Sequence, residues 1–281
     1  MKYAVTGANG YIGRHIVKEL LDCGQEVIAI DIRFDDIDER ADKVIFSIFE
    51  ETDHVFEQLG QPDVCIHMAW RNGFVHNDLS HMEDLPKHIQ FIKDMVEGGL
   101  KQIVVMGSMH EVGYWEGAID ENTPTNPQSL YGIAKNALRQ AIDSIIKTDD
   151  LCVQWLRGFY ILGDDLKNHS IFTKLIEAYN AGKTNFPFTT GKNKYDFITV
   201  DELAKQIACT AMQTEVQGII NCCSGNPVSL ADRVEQFIRE NNLDIKLEYG
   251  AFPDRPYDSP GIWGDPSKIN AIMSNESNAL Q

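Results

Sequence analysis

Positive charge is scarce in this chain: 25 Lys and Arg stand against 42 Asp and Glu, a formal net charge of −17 at pH 7 with the histidines neutral. A surface this acidic repels nucleic-acid phosphates and anionic lipid headgroups, so neither nucleic acid nor membrane is expected as a partner. An anionic small ligand has to be met by local Arg, Lys and helix N-termini against that background. Long apolar runs are missing too. No stretch reaches membrane-spanning length, and the opening MKYAVTGANG enters a β pattern directly, with no basic segment leading into an apolar one, so the expected location is cytoplasmic. The six cysteines (Cys23, Cys65, Cys152, Cys209, Cys222, Cys223) show no CxxC spacing and no clustering with histidine. That argues against a bound metal and for small buried hydrophobes in a reducing compartment. Internal repeats and low-complexity tracts are absent as well.

What is present fits an ordinary globular α/β protein. With 281 residues, 43% hydrophobic and 24% charged, the chain is too long for one small domain and too short for three. Short apolar runs bounded by turn residues fall at Tyr3–Thr6, Glu26–Asp31, Lys43–Phe46, Val64–His67, Gln102–Ser108 and Cys152–Arg157. Amphipathic stretches lie between them, most clearly Tyr11–Leu21 and Leu130–Ile146, and this alternation predicts βαβ units on a parallel sheet. Arg71–Leu85 has no steady period and reads as a loop at the cleft mouth. After Gly158 the rhythm loosens through GDDLKNHS, AGKTNFPFTTGKNK and GAFPDRPYDSPGIWGDP, and the tail SNESNALQ reads as a frayed end. The expected fold is a Rossmann doubly wound parallel sheet over residues 1–157, followed by a smaller substrate-binding lobe over 158–281 whose chain is free to cross back to the sheet.

The first strand runs straight into Gly7-Ala8-Asn9-Gly10-Tyr11-Ile12-Gly13 and then a helix. Gly7 allows a sharp turn, Gly10 lets backbone N–H groups approach a pyrophosphate, and Gly13 lets the helix pack close to the strand. The helix N-terminus then offers unpaired donors and partial positive charge to the phosphates. Asp31 ends the second strand, 18 residues after Gly13, where a carboxylate accepts ribose hydroxyls. Its charge disfavours a 2′-phosphate, although Arg33, just past Ile32, could turn to one; the cofactor is therefore NAD(H) or NADP(H).

Tyr131 and Lys135 in LYGIAKNAL are four apart on a predicted helix and share a face. A free phenol is a poor base at neutral pH, and a nearby ammonium is expected to favour the phenolate. Tyr131 then exchanges a proton with a carbinol or ketone oxygen while hydride moves to or from nicotinamide, and Lys135 holds the nicotinamide ribose. Ser108, 23 residues before Tyr131 at the end of a strand, is placed to hydrogen-bond the reacting oxygen.

With these motifs the sequence resembles the extended short-chain dehydrogenase/reductase family, the NAD-dependent epimerase/dehydratases. TGANGYIG, HMAW, Ser108, YGIAK, LRGFYILG, YDFITVDELA, NCCSGNPVSL and RPYD follow the family's order over nearly the whole chain. The resemblance implies a cofactor set of Gly7, Gly10, Tyr11, Ile12, Gly13, Asp31, Ala69, Tyr131 and Lys135, with Ile32 and Arg33 beside it, and a catalytic set of Ser108, Tyr131 and Lys135. It implies a nucleoside-diphosphate sugar bound between two lobes and a homodimer built through four helices. The family's dehydratases carry an Asp-Glu pair after the catalytic hydroxyl, where this chain has Met109 and His110. GSMHEVG and HMAW look like the variants of ketoreductases acting on 4-keto-6-deoxy sugars, and the short second lobe suits one hydride transfer followed by release. The expected activity is reduction of the C4 ketone of such a sugar, the alternative a 4-epimerase with tightly held NAD, and a non-catalytic cofactor sensor the reading from another class. On the substrate side Tyr160 stands where the family usually has asparagine, and Arg255 of RPYD, with Lys192 or Lys194, is expected to meet the diphosphate.

Other residues leave alternatives. Trp70, Met109 and His110 are expected to line the sugar pocket. Trp70 and Trp115 pack either on the sugar or nicotinamide or in the core. Glu111 either lines the pocket or fixes its own loop. Asp196 and Asp201 are expected to tie the second lobe and cap a helix near Val200, and Cys222 and Cys223 to pack in the core.

Overall fold

The computed structural model describes residues 1–50, 53–145, 151–163, 170–253 and 259–279. Strands and helices alternate through the first half: β1 (Lys2–Thr6), α1 (Gly13–Asp22), β2 (Glu26–Asp31), β3 (Asp42–Ile45), α2 (Val55–Gln58), β4 (Val64–His67), α3 (Ser80–Glu97), β5 (Gln102–Ser108), β6 (Gly117–Ile119), α4 (Leu130–Ile145) and β7 (Cys152–Gly158). The second half carries β8 (Tyr160–Leu162), α5 (Ile171–Asn180), β9 (Asn185–Pro187), β10 (Lys194–Thr199), α6 (Val200–Ala211), β11 (Gly218–Cys222), β12 (Pro227–Ser229), α7 (Leu230–Glu240), β13 (Lys246–Glu248), β14 (Gly261–Gly264) and α8 (Ser267–Ala279).

Seven strands form one parallel sheet in the order β11-β7-β5-β4-β1-β2-β3. Successive strand residues serve opposite faces, because side chains alternate across a pleat. Tyr3, Val5, Val27 and Ala29 join a core under α1 and α6, while Ala4, Ile28 and Ile30 join one under α3 and α4. In α1 the buried Ile16, Val17 and Leu20 recur at helical spacing, each contributing about 1.5–3 kcal/mol by leaving water. The strand order reverses between β1 and β4, and a crevice opens there beyond the strands' carboxyl ends.

The second lobe is built around β12-β10-β14-β6, with β8 added to β10 and a separate β9–β13 pair. Phe172, Leu175, Phe188, Val234 and Phe237 form its own apolar cluster. The chain does cross back: β11 returns to the edge of the large sheet beside β7, while β6 leaves the first half to pair with β14 in the lobe. Asp196 is fully buried and accepts from the Ser224 and Gly225 amides, the Ser224 hydroxyl and the Gly264 amide, tying β10 to the segments after β11 and in β14.

Three expectations are corrected. Residues 80–85, expected in a loop, begin α3; its buried face opens with His81, Asp84 and His88 before Phe91, Ile92 and Met95, so burial is helical in period where hydrophobicity is not. The cap of α6 is Thr199, whose hydroxyl accepts from the Glu202 amide; Asp201 lies in the first turn and pairs with His15. Cys23 is exposed, whereas the other five cysteines are buried. Among the described residues no helix is long and apolar enough to cross a membrane.

Candidate active site

The Gly7–Gly13 turn lies at the carboxyl end of β1 and floors a cleft of about 480 Å³, which Tyr11, Ile12, Met68, Trp70, Ser108, Tyr131 and Lys135 also line. Gly7 has φ +66°, and a side chain there would drive a carbon to 2.8 Å from the Ala69 backbone; on Gly13 it would reach 2.2 Å from the Gly7 carbonyl. The turn is therefore wound against the end of β4 with no room for any other residue, as a backbone cradle for phosphates requires. Asp31 stands against the same turn. Its carboxylate accepts the Asn9 and Ile32 amides at 2.9 and 2.8 Å, which fixes it at the end of β2 with lone pairs to spare for a diol. Ile32 is exposed, and the Arg33 guanidinium sits 3.4 Å from Asp35, away from the cleft-lining set. These residues fit a dinucleotide.

Ser108 ends β5 and caps the turn that follows. Its Oγ accepts the His110 amide at 3.2 Å, leaving the hydroxyl proton to be donated elsewhere, while its own amide donates to Glu111 at 2.7 Å. Glu111 is wholly buried, accepts from the Trp155 indole and lies 3.6 and 3.7 Å from the Arg157 and Arg139 guanidiniums. Burial raises its pKa and Arg157 pulls it back down. Of its two possible roles, the structure gives it the fixing of this loop. Met109 is buried and His110 stands between the cleft and a second cavity of about 600 Å³, where the Tyr160 and Tyr195 rings meet at 4.3 Å and a tilt of 43°. Trp115 lines neither; its indole donates to the Ala118 carbonyl. Arg255 lies outside the described residues. Lys192 and Lys194 are exposed and line neither cavity.

Helix α4 delivers Tyr131 and Lys135 to the same wall. Its first amides are met from the 71–79 loop: Tyr131 N donates to the His76 carbonyl at 2.9 Å and Leu130 N to Asn77 Oδ1 at 3.2 Å. Lys135, 3% exposed, donates to the Met106 carbonyl at 2.6 Å. Its Nζ lies 3.7 Å from the Trp70 ring centre and 5.8 Å from that of Tyr131. The expected acidification of the phenol is not found. Burial pushes the Tyr131 hydroxyl up to about 12 against a counter-pull from Ser108, and burial brings Lys135 down to about 7 against a counter-pull from Glu111. Desolvation disfavours both charged forms and outweighs these counter-pulls.

Apart from His110, the sequence reading did not single out the histidines around this site. His76 stacks on the Tyr131 ring at 5.4 Å and His110 meets His76 at 4.4 Å. Behind Trp70, Thr6 Oγ1 accepts the Met68 and Ala69 amides and so gives its proton to His67 Nδ1; His67 Nε2 then donates to His88 Nδ1 at 2.9 Å. Apolar periodicity carries no trace of them, since polar side chains hold core positions. A groove of about 770 Å³ beside α3 is larger than the cleft, but it lies away from the glycine turn and from Ser108, Tyr131 and Lys135.

A glycine-turn nucleotide site facing a serine, a tyrosine and a lysine on one wall is the layout of a dinucleotide-dependent short-chain dehydrogenase/reductase. The sequence profile of the NAD dependent epimerase/dehydratase family matches residues 3–223. The chain belongs to this family. It is 47% identical over 271 residues to dTDP-6-deoxy-L-talose 4-dehydrogenase (NAD(+)) of Aggregatibacter actinomycetemcomitans, covering 94% of this chain and 99% of that protein. It is 23% identical to UDP-glucose 4-epimerase of Lactobacillus helveticus, over 97% and 91% of the two. Among solved structures, MoeE5 in complex with UDP-glucuronic acid and NAD superposes with a TM-score of 0.81 at 22% identity, covering 98% of this chain and 93% of its own, which establishes the fold.

Proposed function

We propose that the protein interconverts the C4 carbinol and C4 ketone of a nucleoside-diphosphate 6-deoxyhexose, running as an NAD(P)H-dependent ketoreductase. The observation that carries this is the meeting of Ser108, Tyr131 and Lys135 on one wall of the glycine-turn cleft. The 47% relative, matched almost end to end, supports the substrate class; its name describes the same reaction read in the opposite direction.

Bound between the Gly7–Gly13 turn, Asp31 and Lys135, the reduced dinucleotide would supply the hydride. Ser108 donates its free proton to the C4 oxygen and holds it beside Tyr131. Tyr131, protonated at neutral pH, gives its phenolic proton to that oxygen as the C=O π bond opens, and the Lys135 ammonium supports the phenolate left behind until solvent restores the proton. Met109 and His110 do not supply a dehydratase's acid and base: Met109 has no titratable group, and burial lowers His110 to about 4, so it is neutral at pH 7. The sugar nucleotide would extend past His110 to the Tyr160–Tyr195 shelf, with Arg255 as its expected cation, and the protein would work as a homodimer.

Mixing purified protein with NADH or NADPH and a dTDP-4-keto-6-deoxyhexose should consume one reduced cofactor per sugar, followed at 340 nm, and Tyr131→Phe should abolish it. No consumption with any such ketosugar, together with interconversion of 4-epimers without added cofactor, would establish the epimerase instead.

A further inference from the structure

The Lys135 side chain ends in an unusual place. Among the described residues the acidic group acting on it is Glu111, and that acts through space rather than by contact. Met106 gives it one carbonyl, and the face of Trp70 lies 3.7 Å away. An aromatic face attracts a desolvated cation through its quadrupole without adding a charge that would repel a phosphate. The indole is itself held in two ways. Its Nε1 donates to His81 Nδ1 at 3.1 Å, and that assigns the His81 proton to Nε2, which donates to the Val75 carbonyl at 3.0 Å. One ring face stacks on His88 at 4.4 Å and 16°, and the Thr6–His67–His88 chain fixes His88 in turn.

We propose that Trp70 is a positioning residue for Lys135, its tethered indole standing in for a counter-ion so that the lysine stays charged and aimed along α4 at Tyr131. This rests on the catalytic reading of Tyr131 and Lys135 above. Trp70 was expected to pack either on the sugar or nicotinamide or in the core; it lines the cleft, and Lys135 Nζ lies over its ring. The titratable groups facing Lys135 are Tyr131 on its own helix, Glu111 after β5, His67 on β4 and His88 on α3. Both histidines are held neutral by burial, so beside the Met106 carbonyl and the through-space pull of Glu111 the ring is the contact that favours the ammonium over the amine.

The test follows Lys135 directly, as the pH titration of its ε-carbon NMR signal in the cofactor-free, full-length protein labelled with [ε-13C]lysine. Trp70→Leu should lower that midpoint by about one pH unit. Trp70→Phe keeps a ring in the socket but loses the tether; it should shift the midpoint the same way by less, and it supplies the answer if the leucine variant does not fold. In ketosugar reduction, which needs Tyr131 protonated and Lys135 charged, Trp70→Leu should match wild type on the acid side of the profile and lose rate about one pH unit earlier as pH rises. An unmoved Lys135 titration in the folded variants, or a rate lowered equally at every pH, overturns the inference. Tyr131→Phe that still turns over would instead defeat the catalytic reading, leaving the Lys135 titration to judge Trp70 on its own.

Discussion

The buried histidines give this protein a pH response that its surface does not advertise. His67 and His88 are 2% and 1% exposed; His67 engages both ring nitrogens, and His88 Nδ1 accepts at the end of a neutral chain starting at Thr6. Burial lowers His67 to about 3 and His88 further still. A histidine depressed in the folded state contributes stability that is complete above its unfolded pKa, near 6.5, and is lost as pH falls toward the folded value, because only the unfolded chain takes up the proton. Each should therefore cost about 1.4 kcal/mol per pH unit below about pH 6.5. Urea unfolding at pH 7.5 and 5.5 should differ by about 2 kcal/mol or more, and equal free energies at the two pH values would show that the histidines are accessible to protons.

At the scale of elements, the site depends on how closely α4 approaches the turn after β5. A carbon added to Gly132 would lie 2.4 Å from the His110 carbonyl, so Gly132→Ala must push the start of α4 outward. Tyr131 then moves off Ser108, and since misplacement near 1 Å can cost on the order of 10²-fold, kcat should fall by about that factor while NADH affinity, which Lys135 shares with the Gly7–Gly13 turn and Asp31, falls much less. Stopped-flow turnover and NADH titration separate the two. The elements that carried a strong period or a special residue were legible in advance: the sheet strands matched within a residue or two, and Gly7–Gly13, Ser108, Tyr131 and Lys135 do line one cleft. The start of α3 was not, because His81, Asp84 and His88 are polar by type and core by position. The Trp70–Lys135 contact was not either, since it joins residues far apart in sequence through a ring whose local motif, HMAW, carries no sign of what it faces. The acidified tyrosine failed for a different reason: spacing gives proximity, but only burial decides which charged form survives.

For the whole molecule, Asp196 is the knot between lobe and sheet. Replacing a buried carboxylate that holds four donors by alanine strands those donors, a loss of about 1–3 kcal/mol or more. Asp196→Ala should therefore loosen the lobe, raising KM for the sugar nucleotide at least several-fold while dinucleotide binding at the first-half turn is retained; calorimetric titration of each ligand checks this.

The exchange of β6 and β11 between the two sheets has a consequence for recombination. A gene spliced once between this protein and a relative joins a donor's strand to a recipient's sheet wherever the cut falls after residue 119 and before residue 218, since the lobe holds 117–119 and the large sheet holds 218–222. Transplanting sugar preference from one relative to another therefore takes several matched splices, with the return strand left in its native context.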